Sequence, residues 1–143
     1  MTNNHTKNVH FKRITADDLP LLRTWFKEPH VSQWWPYFAE ASDGRPTLED
    51  FAAFLLRIRS NKTVAYLVFI DEKPIGYIQY YPIDRSIEKA GSWLPDLPET
   101  TVGTDQFIGN PHYLGKGYGT LFIAAFINYL THIQPNITTI IVD

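Results

Sequence analysis

Tyr113 to Thr120 reads YLGKGYGT, and the fold is best read from this octapeptide outward. Gly115, Gly117 and Gly119 alternate between a strand-like run and a helix-like one. Side chains are therefore missing where backbone N–H groups can converge on an anion at a helix N-terminus. A phosphate group is the expected occupant. The nucleoside-triphosphate loop needs four residues between its first Gly and the Gly-Lys-Ser/Thr, whereas five separate Gly109 from Gly115 here, and Gly117 follows Lys116. The dinucleotide fingerprint fails as well, because the third glycine comes two positions after the second instead of three. What remains is a pyrophosphate carried by something other than a hydride carrier or a hydrolysed nucleotide.

Working backwards, Val102–Ile108 reads as a strand broken by Gly109, Asn110 and Pro111. Working forwards, Leu121, Phe122, Ala125, Phe126 and Tyr129 recur at helical spacing from Tyr118 to about Leu130; Pro135 and Asn136 mark a turn, and Ile137–Val142 a final strand. Further upstream, Val64–Ile70 and Ile75–Tyr81 form a hairpin around Asp71, Glu72 and Lys73. Val9–Ile14 alternates as a first strand. Thr15 and Asp18 then cap a helix running to about Phe26. A loop from Glu28 to Pro46 ends at a capped helix start, Thr47, whose stripe is Leu48, Phe51, Phe54, Leu55 and Ile58. Asp84–Thr100 reads as loop, with Gly91, Pro95 and Pro98. The order is β, α, α, β, β, β, α, β, with no internal repeat.

Composition narrows the chemistry. The chain has 143 residues, 44% of them hydrophobic, which predicts one domain over 1–143 with a real core. A formal net charge of -2 gives no field for nucleic acid, so no nucleic-acid partner is expected. No run approaches the ~18 apolar residues that span a bilayer, and the polar start MTNNHTKNVH lacks a secretory apolar region; the expectation is a cytoplasmic protein without a membrane partner. There is no cysteine, which removes thiolate nucleophiles, disulfides and Cys-based metal sites. His5, His10, His30, His112 and His132 are scattered without ligand spacing, so no metal is expected.

Aromatic residues make up 15% of the chain, enough to build both a core and a ring-lined pocket. The adjacent Trp34 and Trp35 would point to opposite faces of an extended segment, which places at least one near a cleft. Tyr77, Gln79 and Tyr81 share one face of their strand. Two readings stand: a half-exposed strand, or a strand facing substrate.

The glycine loop, the element order and several short segments resemble the GCN5-related N-acetyltransferase (GNAT) superfamily. Its acetyl-CoA loop reads Arg or Gln, two residues, Gly, one residue, Gly or Ala; Leu114, Gly117 and Gly119 hold those positions here, with Leu in place of the polar residue. Within the superfamily the chain is similar to the aminoglycoside 6'-N-acetyltransferase branch and to related acyltransferases of siderophore synthesis. Trp34 with Trp35, the Arg45–Leu48 helix start, Pro74–Tyr77 with Gln79, Trp93 upstream of Asp105 and Gln106, and Leu114–Thr120 carry that likeness over roughly Phe11 to Asp143. In that branch Leu also replaces the Arg or Gln.

The resemblance implies an α/β (α+β) GNAT fold, a mixed but mostly antiparallel central sheet flanked by helices. It implies transfer of an acetyl group from acetyl-CoA to a primary amine, an aminoglycoside 6'-amine of the antibiotic-resistance type. By the same resemblance Asp105 orients the amine and takes its proton. Gln106, Phe107 and Ile108 pair with the pantetheine arm, and Tyr113, Leu114, Gly115, Lys116, Gly117, Tyr118, Gly119 and Thr120 hold the phosphates. Lys116 reads equally as a solvated loop lysine. Trp34, Trp35, Gln79, Trp93, Asp105 and Asp143 would contact the substrate. A homodimer is left open. Because a helix and further strands follow the fifth strand in this superfamily, the C-terminal part of the fold, with the tyrosine that protonates the leaving thiolate, is expected to be absent. Two alternatives stand beside this reading: acyl transfer to a hydroxylysine-type siderophore precursor, and a non-catalytic acetyl-CoA-binding module.

Overall fold

Apolar alternation along the strands decides how the molecule is layered. The computed structural model describes residues 8–34, 48–60, 62–83 and 100–142. Within them one sheet runs in the order β1 (Val9–Arg13), β2 (Val64–Ile70), β3 (Lys73–Pro82), β4 (Thr101–Ile108) and β5 (Thr139–Val142). The first three pairings are antiparallel and β4–β5 is parallel. A parallel neighbour needs a crossover, and the helix α4 (Tyr118–Ile133) supplies it. Between β1 and β2 the chain forms α1 (Leu19–Phe26), α2 (Pro29–Ser32) and α3 (Leu48–Ser60). This is the mixed, mostly antiparallel α/β arrangement expected from the sequence.

The two faces of the sheet carry separate cores. Ala65, Leu67, Tyr77 and Phe107 pack with Leu22, Trp25, Phe26, Val31 and Phe54 of α1, α2 and α3. Tyr66, Val68, Ile70, Ile78, Tyr80 and Val102 pack with Phe122, Phe126 and Leu130 of α4. Each such side chain contributes roughly 1.5–3 kcal/mol by leaving water. Tyr77 stacks on Phe107 with ring centroids 5.1 Å apart, and Phe11 meets Phe126 edge-on at 5.1 Å, so rings from distant segments join each layer. Burial, together with its hydrogen bond to Tyr129, pushes the Tyr66 phenol up from its ordinary value.

The structure sharpens several boundaries. In the β2–β3 hairpin Asp71 (φ 47°) and Glu72 (φ 70°) form a left-handed two-residue turn, and Lys73 already belongs to β3. Val68 opposes Gly76 but Phe69 opposes Pro74, which leaves Ile75 as a bulge residue that turns into the α4-side core. The expected loop after Glu28 contains the short helix α2, with Pro29 at its first position, where a missing N–H costs nothing. Of the α3 stripe, Phe54 is buried and Leu55 partly so; Leu48, Phe51 and Ile58 lie outside the described side chains. On α4 the buried line is Phe122, Phe126 and Leu130, while Leu121 faces solvent, because i to i+4 spacing tracks the sheet better than the line through 121.

Candidate active site

The site begins with the face of β3 that carries Tyr77, Gln79 and Tyr81. Antiparallel pairing sets Tyr77 opposite Phe107, Gln79 opposite Asp105 and Tyr81 opposite Gly103, all on the face toward α1, α2 and α3. Gln79 Nε2 donates to Asp105 Oδ2 at 2.9 Å, and Tyr81 Oη donates to Asp105 Oδ1 at 3.1 Å. Gln79 Oε1 in turn accepts from Tyr77 Oη at 2.6 Å. Both carboxylate oxygens therefore meet donors. Tyr77 is fully buried and Gln79 is 8% exposed, which decides against a half-exposed strand. Asp105 itself is half-buried, so one side of its carboxylate remains reachable.

Among the described residues β5 pairs with β4 only from Thr101 to Thr104. Gly109 N–H donates to Ile75 O at 2.8 Å, which fixes the alternation: odd-numbered β4 residues bond toward β3, and the main-chain groups of Gln106 and Ile108 point to the opposite edge of the strand. On that edge Ile108 O lies 2.8 Å from His30 Nε2, so the imidazole in the Nε2–H form ties α2 to the end of β4. Trp25 closes the same corner by packing over Gly109, where any Cβ would fall 2.0 Å from its ring.

Next comes the glycine loop. Gly115 has φ 69° and Gly117 φ 81°, both left-handed, with open space where a Cβ would stand. Gly117 caps α4, and Leu121 N–H is the first to bond back to it, at 3.1 Å. The amides of Tyr118, Gly119 and Thr120 precede that bond and have no carbonyl of their own helix to meet. A 16-residue helix adds its dipole at this point. Beside the loop a cavity of about 380 Å³ is lined by Lys73, Asn110, His112, Tyr113, Lys116 and Tyr118. Tyr113 and Tyr118 meet edge-on at 5.0 Å and form its aromatic wall. Of the loop residues, Tyr113, Lys116 and Tyr118 thus bring two phenols and one ammonium to this cavity, while Leu114 stands exposed.

Of the residues singled out in the sequence, Asp105 and Gln79 are brought into direct contact, and Gln106, Phe107 and Ile108 form the strand leading from them toward the loop. Trp34 follows α2 and is 75% exposed. Trp35, Trp93 and Asp143 lie outside the described residues. Sequence reading did not place Tyr77, Tyr81, Gly103, His30 or Lys73 in the site. Tyr77 and Tyr81 carried a usable signal, their two-residue spacing from Gln79; His30 and Lys73 carried none, because their neighbours in space are distant in the chain.

Known proteins share this fold. The family model described as an acetyltransferase (GNAT) domain matches residues 15–143. The aminoglycoside N(6')-acetyltransferase type 1 of Klebsiella pneumoniae is 30% identical over 142 residues, 98% of this chain and 67% of that protein. Among solved structures, aminoglycoside acetyltransferase AAC(6')-Ib in complex with coenzyme A superimposes with a TM-score of 0.74 at 28% identity, covering 95% of this chain and 74% of that one. The same enzyme with ribostamycin and coenzyme A gives 0.76 at 29% identity, covering 95% and 73%. A mixed five-stranded sheet, a left-handed glycine loop at the start of α4 and a domain match over most of its length place this chain in the acetyltransferase (GNAT) family.

Proposed function

We propose that the chain transfers the acetyl group of acetyl-CoA to a primary amine of an aminoglycoside, at the 6' position. The observation that carries this reading is the Asp105 carboxylate, held by Gln79 and Tyr81 on the β3–β4 face toward the helices, in a chain 30% identical to aminoglycoside 6'-acetyltransferases over almost its full length. The loop fits the acyl donor: its two left-handed glycines leave room for phosphate oxygens, and the first-turn amides of α4 with Lys116 supply donors and charge. Acetyl-CoA supplies an acyl carbon activated by its thioester. Gln106 and Ile108 would pair with the pantetheine arm like an added strand.

The chain's own residues then have three tasks. Asp105 accepts a hydrogen bond from the ammonium, takes its proton directly or through water, and leaves a neutral nitrogen lone pair. Main-chain N–H groups on the outward edge of β4 donate to the carbonyl oxygen as it gains charge. The positioned carboxylate also attracts a polycationic sugar, whose apolar ring faces suit an exposed indole such as Trp34. Because acetyl-CoA is made and used inside cells, the cytoplasm is the compartment that suits this reaction; among the described residues no helix is long and apolar enough to cross a membrane.

Thiol release from acetyl-CoA, followed with and without ribostamycin, tests the reading. Release that requires the aminoglycoside, with a monoacetylated product, is the expected result; release that ignores it, or none, overturns the assignment. Gly117→Ala probes the loop in the same assay. A non-glycine residue at φ 81° is strained by about 1–2 kcal/mol. Because Gly117 holds this conformation without ligand, a side chain there forces the loop to shift and displaces its amides, so the Kd for acetyl-CoA, measured by calorimetry, should rise about tenfold.

A further inference from the structure

The geometry points to Tyr77 and Tyr81 as positioning residues that fix the Asp105 carboxylate from its two oxygens, Tyr77 by way of the Gln79 amide and Tyr81 across the bare backbone of Gly103. The inference deepens the acetyl-transfer reading and rests on it.

An amide can sit either way round, and only one way suits this site. With Nε2 toward Asp105, Gln79 donates to a carboxylate that can only accept; turned over, Oε1 would face Oδ2, acceptor against acceptor. The carboxylate, which can only accept, selects the productive orientation, and Tyr77 holds the amide in it because its hydroxyl donates to Oε1 at 2.6 Å. Tyr77 is itself held by stacking on Phe107 at 5.1 Å and by contact with Phe54 at 6.3 Å, and it is fully buried, so it touches no substrate. Rigidity thus passes from the helix-side core through one phenol and one amide to Oδ2.

Oδ1 is held differently. A Cβ built at Gly103 would lie 2.7 Å from Tyr81 Cε2, 2.8 Å from Cζ and 2.9 Å from the hydroxyl. The ring therefore lies across Gly103, and from there its hydroxyl reaches Asp105, two residues along the same face of β4, at 3.1 Å. Gly103 is required for this path: a methyl group there displaces the far end of the Tyr81 side chain while leaving the Tyr81–Gly103 backbone pairing undisturbed. Clamped at both ends, the carboxylate keeps one orientation toward the cleft before the amine arrives, and misplacing a reacting group by ~1 Å can cost on the order of 100-fold in rate.

Two readouts test the inference: steady-state kinetics with ribostamycin and acetyl-CoA, and the side-chain amide signals of Gln79 by nitrogen-15 NMR without ligands. Tyr77→Phe should lower kcat about tenfold, leave KM for acetyl-CoA unchanged, and move the chemical-shift separation between the two Gln79 amide protons toward that of a freely solvated glutamine. Tyr81→Phe and Gly103→Ala should lower kcat to a similar degree, and their double variant no further than either alone, because both remove one hydroxyl from one oxygen. Unchanged kcat in Tyr77→Phe, or fully additive losses in the Tyr81 and Gly103 pair, would overturn the positioning role. If the wild-type chain transfers nothing to ribostamycin, the functional reading fails by itself, and the Gln79 signals decide the remainder: a shift toward free-glutamine values in Tyr77→Phe upholds the hydrogen-bonded path, and an unchanged pair overturns it.

Discussion

Asp105→Asn should abolish most acetyl transfer while leaving acetyl-CoA binding and the fold intact. Removing a general base costs on the order of 100- to 10,000-fold, and the middle of that range is expected for kcat because Asp105 is the one carboxylate to which Gln79 and Tyr81 both donate. The substitution preserves shape. The introduced amide can still accept from Gln79 through its oxygen, and Tyr81 can rotate its hydroxyl to accept from the new NH2 group, so no buried polar group is stranded. What disappears is the capacity to take a proton and the negative charge that attracts the ammonium. In the proposed function acetyl-CoA contacts begin one residue later, at Gln106, and continue through the glycine loop, so its affinity should stay within about twofold by calorimetry. Wild-type turnover in this variant would remove Asp105 from the mechanism.

A second large effect is structural and lies at the corner where β4 ends. Gly109→Ala should lower the unfolding free energy by about 3 kcal/mol, at the upper end of overpacking penalties. The added methyl would stand 2.0 Å from Trp25 Cδ2 and 2.3 Å from Cγ, far inside contact distance and against a rigid ring. Trp25 cannot simply swing aside, because it is 4% exposed and meets Phe107 edge-on at 6.2 Å. Either α1 lifts from the sheet or Gly109 shifts, breaking its N–H bond to Ile75 O. Both also disturb His30 on the Ile108 carbonyl, so weaker acetyl-CoA binding should accompany the loss of stability. Thermal unfolding checks this: a fall in Tm of roughly 10 °C is expected at this chain length, and an unchanged Tm would mean the corner is looser than the packing implies.

These two positions also mark the boundary between what is local and what is not. The elements and their order were legible because each rests on short-range periodicity: alternation in Val64–Ile70, i to i+4 spacing in Phe122, Phe126 and Leu130, and a left-handed turn wherever Gly115 and Gly117 permit one. The placement of Gly115, Gly117 and Gly119 pointed to an anion site before any fold was known, since the missing side chains and the helix start are both properties of contiguous residues. The shared face of Tyr77, Gln79 and Tyr81 was equally visible, but its partner was not. That Gln79 meets Asp105, 26 residues away, depends on the β3–β4 register. The Ile75 bulge reassigns faces along β3, and Tyr81 over Gly103 and Trp25 over Gly109 lock the two strands together, none of which leaves a periodic trace. Lys73 and His30 joined the site for the same reason, brought there by a hairpin turn and by a helix whose docking is decided by packing. The sequence by itself therefore determined most of the elements and a glycine loop suited to an anion, and through its family resemblance the candidate carboxylate; only the tertiary structure decided which side chains orient that carboxylate, because strand register and helix docking are set by long-range burial that no local pattern records.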